Sequence, residues 1–359
     1  MTERKNTARR IRRALTVTLV IILVLSVMNL VAAKIIYDSL FPRYEYTDYY
    51  LAKNPSNSEM EEAYPIREVG FLSDENRLQG YIYGEGDKGL VVISPGLSSG
   101  AQDYAGITMS LVDYGWRVFS FDPTGCFESE GDSSVGFAQA ILDLDAVLNY
   151  IETDKELSKL DVFIFGHSRG GYAAACVLES DHSINGIVTV GAANSSMEIT
   201  IDTSKNYIGN FAYLGYPALY TYQAMIFGTE LTSITAVDSI NNSDCSVMIV
   251  QGSEDDNTPA DTCSIYAHKD EITNPLASFV LISDEHINGH TSVMYSKDAA
   301  IYQQEISDEL DALEEQYPEG IPENVAQDFY SSIDDMLSSE ANPELMAQIN
   351  EFFEANLSR

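Results

Sequence analysis

Residues 161–180 read DVFIFGHSRGGYAAACVLES. An apolar run, Val162–Phe165, enters Gly166-His167-Ser168-Arg169-Gly170, and an alanine-rich segment follows. The run predicts a buried strand and the alanine-rich segment a helix. Gly-x-Ser-x-Gly between a strand and a helix is the nucleophile elbow, a strained turn that exposes the serine hydroxyl. Gly166 and Gly170 carry no side chain, so strand and helix can approach closely there. The N–H of Arg169 faces the same space as the hydroxyl and can donate to a developing oxyanion. The helix N-terminus adds partial positive charge.

A serine used as a nucleophile needs a base, and the base needs an orienting acid. Around this elbow the chain order is serine, acid, histidine, with each group at the C-terminal end of a strand. Downstream, SVMIVQGSEDDNTP ends a strand in Glu254, Asp255 and Asp256, and ASFVLISDEHINGHTSV ends the next in His286 and His290. The required order is therefore present.

Working outward, REVGFLS and RLQGYIYG flank the turn DEN and predict an antiparallel hairpin. GLVVIS, WRVFSFD, DVFIFG, GIVTVG, SVMIVQG and ASFVLIS then alternate with helical patterns, including predicted helices over 102–114 and 135–153. Nearly continuous apolar strands alternating with helices indicate a mostly parallel sheet covered by helices on both faces. The alternation stops over 194–244, a tyrosine-rich stretch that predicts a helical insertion above the strand ends. Residues 300–359 are acidic and helical, with Leu310, Leu313, Phe329, Ile333, Leu337, Leu345, Ile349 and Phe352 at rough helical spacing. They predict a helical C-terminal appendage packed on the domain.

Residues 14–33, ALTVTLVIILVLSVMNLVAA, carry no charge and follow a basic arm, residues 1–13. About 20 apolar helical residues cross a bilayer. Cations remain on the cytoplasmic side, so the expectation is a transmembrane signal anchor over 14–36 with everything after it extracellular. A signal peptide cleaved after the small residues VAA is the competing reading. A tyrosine- and charge-rich connector over 37–64 would then lead to a main domain over 65–299. The chain's formal net charge is −35, and everything beyond the basic arm is strongly acidic, which repels polyanions and argues against nucleic-acid partners. The four cysteines, Cys126, Cys176, Cys245 and Cys263, lack metal-ligand spacing, and a Cys245–Cys263 disulfide and free thiols both remain open.

From about Arg67 to Tyr295 the chain resembles the α/β-hydrolases, specifically serine hydrolases with a mobile cap. The resemblance implies the α/β-hydrolase fold and no metal or organic cofactor. GSEDDNTP resembles the family's Gly-x-x-Asp-x-x-x-Pro, which implies Asp255 as the acid, with Asp256 and then Glu254 as competitors. The family's histidine often follows glycine, so NGHTS implies His290, with His286 retained as an alternative. SPGL at 94–97 resembles the family's first oxyanion loop with Pro95 in place of histidine, which implies the Leu97 N–H as the second donor beside Arg169. DPTGCFESEG at 122–131 resembles another family segment, with Phe127 where glycine is usual. FPRYE, the SPG loop and the helical tail also resemble membrane-anchored hydrolases of Gram-positive anaerobes.

The implied activity is cleavage of an ester, thioester or amide in a small-molecule or lipid-like acyl substrate, through catalytic Ser168, Asp255 and His290. A membrane-anchored peptidase or acyltransferase is the alternative, and a non-catalytic binding or scaffold protein on the same fold is the alternative of another class. Among the remaining residues, His167 is expected to pack, and His182 and His268 to be solvated. The Arg169 side chain is expected in a surface ion pair. Tyr207, Tyr213, Tyr216, Tyr220 and Tyr222 are expected to pack, with some lining the acyl or leaving-group pocket.

Overall fold

The computed structural model describes residues 2–61 and 63–358. Eight strands form one sheet in the order β1-β2-β4-β3-β5-β6-β7-β8. The strands are β1 (Ile66–Ser73), β2 (Asn76–Tyr83), β3 (Leu90–Ser94), β4 (Arg117–Phe121), β5 (Val162–His167), β6 (Gly186–Val190), β7 (Ser246–Gly252) and β8 (Ala277–Ile282). The expected hairpin is β1-β2, antiparallel, and β2 also pairs antiparallel with β4. All remaining pairs are parallel. β3, β5 and β6 are buried along their whole length, as their unbroken apolar runs require. With its helices, this is an α/β-hydrolase fold.

Two predicted helices start elsewhere. The helix expected from residue 102 begins as a 3-10 turn, Ala101–Tyr104, and becomes α-helical over Ala105–Asp113. The helix expected over 135–153 begins only at Gln139. Val135 and Gly136 both have positive φ, 59° and 156°, which no right-handed helix admits.

The insertion over 194–244 is helical, as Ser196–Ile208, Ala212–Ser233 and Ala236–Asn241. Beyond β8 come the helices Lys297–Gln316, Glu323–Tyr330, Asp335–Ser338 and Pro343–Ala355. The last is part of the core. Leu345, Ile349 and Phe353 are buried, the Phe353 ring lies 5.7 Å from that of Trp116, and Asn350 accepts the Trp116 indole N–H at 2.9 Å. The buried phenylalanine is thus Phe353, at i+4 from Ile349, rather than Phe352.

A single helix runs over Thr2–Leu40. Its apolar part is exposed, whereas Ala33, Tyr37 and, just beyond it, Phe41 are buried against the insertion. Residues 41–50 also lie on the domain. Arg43 donates to the carbonyls of Phe127, Ser129 and Gly131, and the Phe127 ring packs against those of Tyr46 and Tyr50. Phe127 holds φ 47°, a left-handed conformation suited to glycine, and these ring contacts oppose its strain. Among the described residues all four cysteines are free thiols.

Asp122, at the end of β4, is buried and accepts the Ala101 N–H at 3.0 Å. Burial raises its pKa to about 7, against the lowering effect of the Ala101 and Glu128 N–H groups. An acid whose folded pKa lies above its unfolded value binds a proton preferentially in the native state. Its contribution to stability is therefore lost as pH rises from about 4 through about 7. Urea midpoints at about pH 5 and about pH 8 should fall with pH in the parent. Asp122→Asn should show a clearly shallower fall, because the amide keeps the Ala101 hydrogen bond without titrating.

Candidate active site

Ser168 follows β5 directly, with φ 54° and ψ −120°. Few L-residues tolerate this backbone, and here it is fixed on both sides. The Ser168 N–H donates to Val190 O of β6 at 2.8 Å, and Ser168 O accepts the Tyr172 N–H at 3.1 Å. The helix Arg169–Cys176 then lies against β3 without intervening side chains. A Cβ on Gly170 would stand 2.0 Å from Ser94 O.

The strand ends bring Asp255 and His290 to one place. His290 Nδ1 lies 2.9 Å and 2.8 Å from the two Asp255 carboxylate oxygens. Gly191, ending β6 at φ 54°, leaves the room: a Cβ there would meet Asp255 Oδ2 at 3.0 Å and His290 Nδ1 at 3.2 Å. Asp255 is buried, whereas Glu254 and Asp256 are exposed. Its carboxylate accepts the N–H groups of Asn257 and Thr258 at 2.9 Å and 2.8 Å and the Gln251 amide at 3.1 Å. Burial raises its pKa, but the hydrogen bonds from His290 and Thr258 outweigh it and hold the carboxyl below its ordinary value. The acid thus stays ionised beside the imidazole.

His286 is exposed and holds φ 75°. The sharp turn in this loop is therefore made at His286, and Gly289 does not adopt positive φ. His290 and Ser168 line one pocket of about 390 Å³ with Gly96, Leu97, Phe137 and Met294. Among the described residues no hydrogen bond joins the Ser168 hydroxyl to His290, and such contacts commonly tighten only with substrate. The N–H groups of Leu97 and Arg169 are also free of other acceptors there.

Three side chains besides Ser168, Asp255 and His290 hold this arrangement, and of these only His167 was singled out from the sequence. Tyr104 Oη accepts the Gly96 N–H at 2.8 Å and lies 3.0 Å from His167 Nδ1. His167 Nε2 lies 3.2 Å from His290 O. The consistent proton assignment has Tyr104 donating to Nδ1 and Nε2–H donating to the carbonyl. Burial, then the neighbouring His290, lowers the His167 pKa to about 3, so this ring stays neutral. His167 packs, as expected, but it also ties the SPGL loop to the backbone of His290. Thr258 Oγ1 lies 2.8 Å from Asp255 Oδ2 and 2.7 Å from Gly191 O, and its one proton serves either. The only local signal for Tyr104 and Thr258 was their position just after a strand-end loop.

Other expectations need correction. The Arg169 side chain is fully buried rather than in a surface ion pair. Nη1 donates to Ser134 O at 3.3 Å, while Nε and Nη2 have no partner among the described residues. It begins the elbow helix facing the 134–137 loop and does not line the pocket. Tyr213, Tyr216 and Tyr220 line a separate cavity of about 580 Å³ under the insertion. Tyr222 turns to the N-terminal helix, where its hydroxyl donates to Asp38 at 2.6 Å. The Tyr207 side chain lies outside the described residues. His182 lies between Asp145 and Glu152, at 3.0 Å and 2.7 Å, and His268 lies 2.8 Å from Glu271.

The family model described as serine aminopeptidase, S33, matches residues 85–224. An esterase of Pyrococcus furiosus superposes with a TM-score of 0.58 at 14% identity, covering 89% of this chain and 99% of its own. DcsB, solved in complex with its substrate analogue, superposes at 0.52 and 15% identity, covering 82% and 100%. No curated protein matches the sequence. At these identities the structures speak for the fold.

Tyr104→Phe removes the hydroxyl between Gly96 and His167 and leaves a buried ring nitrogen unpartnered, at a cost of about 1–3 kcal/mol. On an activated ester, kcat per active serine, counted by fluorophosphonate titration, should fall about tenfold with KM nearly unchanged. A purely structural role would lower the number of titratable sites and leave kcat per site intact.

Proposed function

We propose that this chain, which belongs to the α/β-hydrolases, is a serine esterase held at the membrane by its N-terminal helix. The observation that carries the chemistry is the buried, ionised Asp255 against His290 Nδ1 in the pocket that Ser168 enters from its elbow. With Nδ1 occupied by the carboxylate, Nε2 is the ring nitrogen left for the serine.

Ser168 Oγ attacks the acyl carbon while His290 Nε2 takes its proton. The oxyanion forms against the N–H groups of Leu97 and Arg169. Asp255 stays ionised and stabilises the imidazolium. His290 then protonates the leaving oxygen, and an acyl-Ser168 ester remains. Water, deprotonated by His290, releases the acid and restores the serine.

One feature of the pocket favours an ester over a peptide with a free amino terminus. Recognition of an α-ammonium needs a free carboxylate close to the serine. Among the described residues that line the pocket, Asp103 is the only carboxylate. It is engaged by the Gly100 N–H and the Tyr50 hydroxyl, each at 2.8 Å, and burial raises its pKa. A small-ester panel should therefore be turned over well, and aminoacyl anilides poorly.

Ser168→Ala and His290→Ala should each lower ester turnover on the order of 10³-fold or more, with little further loss in the double variant, because members of one catalytic unit are not additive. His286→Ala should stay within about tenfold of the parent, its cost confined to placing alanine at positive φ. Near-normal turnover by Ser168→Ala would overturn Ser168 as the nucleophile, whereas a parent that takes up no fluorophosphonate and turns over no ester would leave a non-catalytic scaffold.

The membrane reading rests on residues 14–33 and the basic arm. The helix is unbroken across Ala33–Lys34, and Ala33 is buried against the insertion, which favours a retained anchor over cleavage at that bond. Protease added to intact spheroplasts should digest the domain. Protection until lysis would reverse the orientation, and a mature chain beginning at Lys34 would establish a signal peptide.

A further inference from the structure

Residues 206–229, NYIGNFAYLGYPALYTYQAMIFGT, contain no charged side chain, in a chain whose formal net charge is −35. They end one insertion helix and supply most of the next, Ala212–Ser233. One face of that helix is covered: Ala212, Leu219 and Gln223 are buried, the first two with Ala33, Tyr37 and Phe41. Another is bare. Phe211, Leu214 and Met225 are 74%, 72% and 70% exposed. Leu214 and Met225 stand eleven residues apart, close to three helical turns, so they project from the same side. A helix that carries no charge before Glu230, with one side packed and one side apolar and bare, requires a second apolar environment.

Its height on the anchor identifies that environment. Ala33, the last residue of the uncharged run, is buried by the insertion, and Leu30 is already half-buried. At 1.5 Å per residue, contact at Leu30–Ala33 brings the insertion to the edge of the hydrocarbon itself. There Lys34 pairs with Asp38, and the Tyr222 hydroxyl donates to Asp38 at 2.6 Å, which fixes helix to helix at headgroup depth. Ile35 and Ile36, on the anchor at the same level, are 65% and 53% exposed and continue the apolar surface. The rest of the domain is strongly acidic and would be repelled by an anionic leaflet, whereas this stretch presents nothing for the leaflet to repel.

We propose that the exposed face of the Ala212–Ser233 helix, with Phe211, Leu214 and Met225, is a bilayer-docking surface that lies in the membrane interface beside the anchor. The inference rests on the anchor reading but is separable from the catalytic one. The full-length chain carrying Cys245→Ser, which removes the one thiol not buried, would be labelled with the environment-sensitive dye NBD at Leu214→Cys or Met225→Cys. Met336→Cys, at an exposed apolar residue outside the insertion, is the reference site. The proteins would be reconstituted into phosphatidylcholine vesicles containing a lipid with a nitroxide near its headgroup.

The expected result is co-flotation of all three, with blue-shifted, nitroxide-quenched emission at 214 and 225 and water-like, unquenched emission at 336. Co-flotation with water-like emission at 214 and 225 would overturn the proposal while leaving the anchor intact. A blue shift without quenching would assign the face to a second copy of the chain and overturn it too. Failure to co-float would remove the anchor, and the docking surface with it.

Discussion

A helix that begins within contact distance of two strands leaves no volume for side chains, and this constraint at Ser168 organises much of the domain. Gly166 and Gly170 remove the atoms that would collide with the helix and with β3, and the turn between them is forced to φ 54°. Such a conformation costs about 1–3 kcal/mol and persists only if its surroundings overdetermine it. The surroundings are the central parallel strands. β3, β5 and β6 supply the wall that the helix meets, and Val190 O of β6 holds the Ser168 N–H. The fully buried central strands of the parallel sheet are thus what makes the exposed serine affordable.

The same strand ends gather the other groups without needing a shared local motif. Asp255 follows β7 and His290 follows β8, and both meet over Gly191 at the end of β6. Three consecutive neighbours in the sheet, β6, β7 and β8, therefore converge on one point, and the residue after β6 is a glycine because two side chains occupy the space a third would take. The Tyr104–His167–His290 chain adds a cross-brace from the loop after β3. Its central histidine is buried and neutral, so the brace does not change with pH over the physiological range.

What could be read from sequence divides along the same line. Ser168 was legible because its strand, turn and helix are contiguous. Asp255 and His290 were legible because each is a polar residue closing an apolar run, in an order that the elbow dictates. Gly191, Tyr104 and Thr258 were not, since their roles exist only across strands that are distant in sequence. The helix over 135–153 was extended too far because periodicity does not register the positive φ at Val135. Arg169 was misplaced for a related reason: a charged residue predicts solvent, unless a loop and a helix from far earlier in the chain close over it. Tyrosine density marked the insertion correctly, but it could not distinguish a wall of the Ser168 pocket from a wall of the neighbouring cavity.

Arg169 also links the elbow to the end of the N-terminal helix. A guanidinium is effectively always charged, and burial without a carboxylate partner is costly. Here its contacts are the carbonyls of Ser134 and Gly136, the loop against which Tyr37 packs. Leu97 packs on the cluster containing Ala33, Tyr37 and Phe41. The two residues whose N–H groups face the candidate oxyanion position are therefore both adjacent to surfaces sealed by the end of the N-terminal helix. Without that seal, water would reach the guanidinium and Leu97 would lose apolar neighbours. The end of the N-terminal helix is consequently part of the wall behind the candidate site, and the two share one packed interface.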